Sequence, residues 1–144
     1  MNVSRTRTVD APVERVWALV ADPHRLPAWW PLVERVEGVA DGEWTTVLRS
    51  RRGKAVRADY RLEESDEAAR RRAWSQHLPG TPFERLLWES RSEVSLAPSG
   101  TGTAVTLRLR QRPRGWSRLA GFLLRRAGRG QLDQALDGLA AVVE

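Results

Sequence analysis

The chain has no cysteine, only two histidines and a single lysine, Lys54. Without thiols there is no disulfide framework and no thiolate nucleophile, and two histidines cannot supply a structural zinc site of the common kinds. No metal motif is present. No stretch approaches the roughly 18 apolar residues of a membrane span, and the opening MNVSRTRTVD lacks the apolar core of a secretion signal. These absences lead us to expect a soluble, cytoplasmic protein. Gly128-Arg129-Gly130 follows no strand and has no lysine beside it, so it is not a phosphate-binding loop. No Ser-His-Asp order stands in a recognisable context, and nothing implies a cofactor.

What is present is arginine and tryptophan. The net charge of +6 over 144 residues rests almost wholly on arginine, a bias that GC-rich codon usage explains as readily as an anionic partner does. Seven tryptophans stand against one tyrosine and two phenylalanines. Such large rings with one N–H are favoured in cores, interfaces and ligand pockets. The length fits one domain, residues 1–144, large enough to enclose a sizeable core or a pocket.

Periodicity orders the elements. Residues 2–10 form a short extended segment with neither face cleanly apolar, as suits an edge strand. Pro12 then opens a helix of about three turns, with Val13, Val16, Trp17 and Val20 at three- and four-residue spacing. Asp22-Pro23 starts a second, shorter helix, limited by Pro27 and Pro31. Trp29 and Trp30, adjacent in this short piece, cannot both face one core. From Leu32 the period becomes two. Strands are expected over 32–39, 43–51, 55–63, 71–78, 83–96 and 103–112, with Asp41-Gly42 as a hairpin signal. On the sixth of these seven strands, Leu86, Trp88, Ser90, Ser92, Val94 and Leu96 share one face.

Residues 115–144 hold the longest helical pattern and must cover the sheet's apolar face. At about 100° per residue, however, Leu119, Phe122, Leu123 and Ala127 form one stripe, and Leu132, Leu136, Leu139 and Val143 another roughly 140° away. The switch falls at Gly128-Arg129-Gly130, where helix propensity is lowest. It predicts a bend or local unwinding there, or a first half wrapped on several sides, with Phe122 shaping a cavity mouth.

The order strand, two short helices, six strands and a long helix is the helix-grip arrangement, an α+β fold. The run Asp10-Ala11-Pro12-Val13-Glu14-Arg15-Val16-Trp17, followed by Leu26-Pro27-Ala28-Trp29-Trp30-Pro31 and later by Leu78-Pro79-Gly80-Thr81-Pro82-Phe83-Glu84, resembles the START-like superfamily called SRPBCC, in its polyketide cyclase/dehydrase and coenzyme-Q-binding branch. The resemblance implies a curved seven-stranded antiparallel sheet around the C-terminal helix, with a deep apolar cavity between them. It implies a small hydrophobic ligand such as a polyketide, quinone or lipid-like molecule, with cyclase or dehydrase activity in some members. The motif carries no catalytic residue to transfer.

Trp29, Trp30, Trp74, Trp88 and Phe122 are the expected cavity walls, and Tyr60, on the apolar parity of its strand, would present its hydroxyl there. A cyclase needs a titratable group inside the pocket, and His77 and Tyr60 are the catalytic candidates. The reading from a different class is a basic module for RNA or a ribosome surface, using Arg49, Arg51, Arg52 and Lys54 at one hairpin, Arg70, Arg71 and Arg72 at a strand start, and a basic string over 108–129. Eighteen acidic residues spread among them and the lack of an RNA-reading signature argue against it.

Overall fold

A computed structural model describes residues 1–50, 52–115 and 121–144. Strand β1 (Asn2–Val9) leads into helix α1 (Val13–Val20), a 3₁₀ turn at Pro23–Arg25 and the one-turn helix α2 (Leu26–Trp29). Strands β2 (Val33–Ala40), β3 (Glu43–Arg49), β4 (Ala55–Asp66), β5 (Arg71–Gln76), β6 (Leu87–Ser99) and β7 (Gly102–Pro113) follow, and then helix α3 (Gly121–Val143). The seven strands form one antiparallel sheet in the order β1-β7-β6-β5-β4-β3-β2. The expected order of elements is thus the observed one.

Local chemistry accounts for the turns. Asp41 and Gly42, at φ 52° and 75°, have the two positive dihedrals that a two-residue type I′ hairpin needs. The β6–β7 turn is tighter than the gap between the expected strands 83–96 and 103–112, because Ser99 already pairs with Gly102. Gly102 is required by space: a Cβ there would lie 2.3 Å from the Val9 carbonyl oxygen. Beside it the fully buried Thr103 donates from Oγ1 to the Ala11 carbonyl at 2.8 Å, tying β7 to the start of α1.

The start of β6 differs most from the sequence reading. Residues Pro82–Arg85 form a 3₁₀ turn, so β6 begins at Leu87 and not at Phe83. Its first pairs are Leu87 with Pro113 and Glu89 with Arg112, an irregularity that leaves Trp88 as an extra residue. Such a bulge inverts side-chain parity across it. Ser90, Ser92, Val94 and Leu96 are therefore buried as expected, whereas Trp88 is 61% exposed.

Helix α3 corrects the expectation of a break. It continues without interruption through residues 128–130. Leu132, Leu136, Leu139 and Val143 are buried, but Phe122 and Leu123 are 73% and 62% exposed; Leu119 lies outside the described residues. The two stripes diverge because only one has a partner. Gly128 is no helix breaker but a contact point: a Cβ there would stand 3.1 Å from Val3 Cγ2. At Gly138 the approach is closer, with a Cβ meeting the Trp29 carbonyl oxygen at 2.4 Å. Arg5 and Arg7 of β1 pair with Asp133 (3.1 Å) and Asp137 (2.5 Å) of α3. Two residues of strand and four of helix both advance about 6 Å, so the paired charges hold helix and strand in register.

These contacts separate the two exposed-looking glycines of α3. Replacing Gly138 by Ala is expected to lower stability by about 1–3 kcal/mol, since crowding of backbone outweighs the roughly 1 kcal/mol gain in helix propensity. Gly130, with no atom within 4 Å of an added Cβ, should gain about 0.5–1 kcal/mol from the same change. Urea denaturation of the two variants measures both, and an equal or stabilising effect at Gly138 would contradict the close approach.

Candidate functional site

Helix α3 packs on β1, β7 and α2. It leaves the inner face of β3–β5 open, and there a cavity of about 200 Å³ lies under α2 and the segment after it. Register sets its wall. Trp44 pairs with Tyr60 and Tyr60 with Gln76, so three side chains stand in a row across β3, β4 and β5 on the inner face. The row is continued by Ser90 and Gln111, themselves partners across β6 and β7. Trp44 and Tyr60 stack, with centroids 6.1 Å apart and 14° between planes. Trp30 meets Trp74 edge to face at 5.8 Å and Trp29 at 5.3 Å. The wall is therefore aromatic with a polar band through it.

Within that band the hydrogen bonds are unevenly met. Gln111 Nε2 donates to Ser90 Oγ at 3.3 Å, and Thr46 Oγ1 to the Ala58 carbonyl at 3.3 Å. Trp44 Nε1 and Gln76 Nε2 are buried with no partner among the described residues. Burial pushes the Tyr60 hydroxyl up to about 12, opposed in part by its hydrogen bond with Thr46. At neutral pH it is a hydrogen-bonding group that neither gives up nor takes a proton.

Of the expected residues, the cavity brings together Trp30, Tyr60 and Trp74. Trp29 lies behind them, 2% exposed, in the packed core against Gly138, and its Nε1 likewise has no partner among the described residues. Trp88 is turned outward by the bulge, with the Arg114 guanidinium 3.4 Å from its ring centroid. Phe122 projects to solvent near the start of α3. His77 is exposed and borders, with Asp59, Arg61 and Trp88, a wider groove of about 460 Å³. Charged and solvent-facing, that groove lacks the enclosure an apolar ligand needs. Trp44, Thr46, Gln76, Leu87 and Gln131 also line the inner cavity and are not among the site residues expected from sequence. Trp44 is within reach of such reasoning: it shares its strand's apolar parity, and pairing that strand with the next places it opposite Tyr60.

Each arginine cluster is matched in part by carboxylates. Arg49 pairs with Glu34 at 2.9 Å and Arg110 with Glu89 at 2.7 Å, while Arg71, Arg91 and Arg108 all approach Glu93. Arg72 is 8% exposed, donating to Ser65 Oγ with its guanidinium 6.0 Å from the Trp44 ring centroid. Hydrogen bonds from Arg57 and Arg35 hold the Glu37 carboxyl down at about 2. Arg51 lies outside the described residues. Among the described residues no group of His, Asp or Glu could hold a metal ion, and no helix is long and apolar enough to cross a membrane.

A curved antiparallel sheet closed by one long helix over an aromatic-walled cavity defines a helix-grip domain of the START-like class. The chain belongs to the polyketide cyclase / dehydrase and lipid transport family, whose model matches residues 1–144. No curated protein sequence matches it. Among solved structures it is similar to TTHA0849 from Thermus thermophilus, with 25% identity, a TM-score of 0.79 and coverage of 99% of this chain and 97% of that one. A START superfamily protein from Mycobacterium smegmatis aligns at 15% identity with a TM-score of 0.80, over 99% and 96% of the two chains. The di-domain ARO/CYC StfQ of the steffimycin biosynthetic pathway aligns at 15% identity with a TM-score of 0.77, over 99% of this chain and 50% of StfQ.

The single tyrosine makes the cavity's electrostatics measurable. Its phenolate absorbance should titrate near 12 in the folded protein and near 10 after denaturation. Because the folded state holds this proton longer, its contribution to stability is complete below pH 10 and is lost as pH rises from 10 towards 12. A folded-state midpoint at 10 would place the hydroxyl in water.

Proposed function

We propose that the protein binds a small hydrophobic molecule in the inner cavity, with Trp30, Trp44, Tyr60 and Trp74 as the contact surface. The observation that carries this reading is a partly enclosed cavity walled by three tryptophans and a tyrosine, at the place where this fold leaves its sheet uncovered. Family membership supports it. We read the site as a binder and not as an acid–base cyclase. Ring closure by proton transfer needs a group that titrates near neutrality. Among the described lining residues Tyr60 is the titratable one, and it keeps its proton until about 12. It can orient or polarise a ligand oxygen by hydrogen bonding. The basic-surface alternative is less well supported, because members of every cluster, Arg49, Arg71 and Arg110 among them, already face carboxylates.

Titration with flat two-ring aromatics should quench or shift the tryptophan fluorescence. Ser92, buried opposite Trp74, offers a way to fill the space. Ser92→Leu should weaken the response about tenfold, from the roughly 1–3 kcal/mol cost of overpacking in the liganded state, without unfolding the protein. No spectral change in the wild type across a panel of such ligands, up to their solubility, would rule the reading out.

A further inference from the structure

Resting on the cavity reading above, we infer that the ligand is a neutral aromatic carbonyl compound of one or two rings, held by its oxygen against the donors of Trp44 and Gln76. Three observations converge. The first is size. The space is about 200 Å³, and an apolar protein cavity of roughly 150 Å³ is known to accept benzene. One or two fused rings fill it, whereas a four-ring skeleton or a long acyl chain exceeds it.

The second is charge. No Arg, Lys, His, Asp or Glu is among the described residues that line the cavity. Arg72, the buried charged side chain of the sheet, is outside the lining, hydrogen-bonded to Ser65 and set over the Trp44 ring. A ligand carboxylate or ammonium would enter with no counter-charge, and a charge buried that way tends to neutralise instead.

The third is the sign of the unmet hydrogen bonds. Trp44 Nε1 can only donate, and it is buried without an acceptor among the described residues; Gln76 Nε2 is in the same condition. The two residues flank Tyr60 from the strands on either side. The nearby Ser90 oxygen accepts from Gln111 Nε2 and not from either of them. Both unmet groups on this wall are donors, and their complement is a molecule with an acceptor oxygen and a flat ring to lie between Trp30, Trp74 and the Trp44–Tyr60 stack. Sites whose buried donors require a ligand acceptor discriminate strongly against the analogue that lacks it.

Calorimetric titration with tetralone, tetralin and naphthoate tests this on the intact protein. In a pocket without donors the ketone would bind more weakly than the hydrocarbon, because its oxygen loses water. Here tetralone is expected to bind about tenfold more tightly than tetralin, with naphthoate the weakest. Gln76→Leu, close in size to glutamine and without the donor, should erase most of that preference, lowering tetralone affinity by more than tetralin affinity. Gln76→Leu should not lower the thermal unfolding midpoint, since the Nε2 it removes has no partner among the described residues; a merely structural role would lower midpoint and both affinities together. Tetralin binding at least as tightly as tetralone overturns the inference and leaves the cavity reading standing. Failure of all three ligands to bind removes both.

Discussion

The fold depends on how closely α3 can approach the rest of the chain. Its apolar stripe, Leu132, Ala135, Leu136, Leu139 and Val143, is essentially inaccessible to water, and burying such side chains contributes roughly 1.5–3 kcal/mol for each large one. That burial requires the helix to lie against Val3 and the Trp29 carbonyl, which only the missing Cβ atoms of Gly128 and Gly138 allow. The exposed pairs Arg5–Asp133 and Arg7–Asp137 contribute little energy, of order 0.2–1 kcal/mol each, but they match strand spacing to helix spacing and so fix where along the sheet the helix sits.

That placement creates the cavity. A helix about 10 Å wide cannot cover a seven-stranded sheet, and α3 covers the β1–β7 side. What remains is the inner face of β3–β5, roofed by Leu26, Trp30 and Pro31. The side chains there and on adjoining β6 differ from those under α3. Thr46, Ser90 and Ser92 are buried at positions where a closed core would carry branched aliphatics. Leaving such volume unfilled and polar groups unpaired costs stability, and sites that break packing rules in this way are where function is expected.

Much of this architecture is legible in the residues. Two-residue alternation gives the strands, Asp41-Gly42 the hairpin, and Pro12 with its three- and four-spaced apolar residues the first helix. The Tyr60 and Trp74 part of the wall follows from strand parity once the fold is known, and Trp30 from its adjacency to Trp29, which keeps the two off one face. Parity fails at Trp88 because a bulge is set by pairing across β6 and β7, not by any residue in β6. Periodicity is also uninformative for the start of α3: Phe122 and Leu123 form a genuine apolar stripe, yet whether a stripe is covered depends on where the sheet ends. Gly128 and Gly138 look alike to helix propensity as breakers, and only the neighbouring Val3 and Trp29 reveal them as contacts. Trp44 needs one further step, the register of β3 on β4.

The two faces of the sheet divide the electrostatic work. On the outer face, charges are dense and mutually satisfied: Glu37 between Arg35 and Arg57, and Glu93 among Arg71, Arg91 and Arg108. Closely spaced opposite charges cancel at a distance, and solvent salt screens what remains beyond about 10 Å. The cavity itself has no charged lining among the described residues. Selection inside it must then come from shape, ring stacking and the direction of a few hydrogen bonds. Those are short-range and insensitive to pH, because Tyr60 stays protonated to about 12. A chain rich in arginine can for that reason hold a pocket whose chemistry is that of a neutral, donor-lined aromatic box.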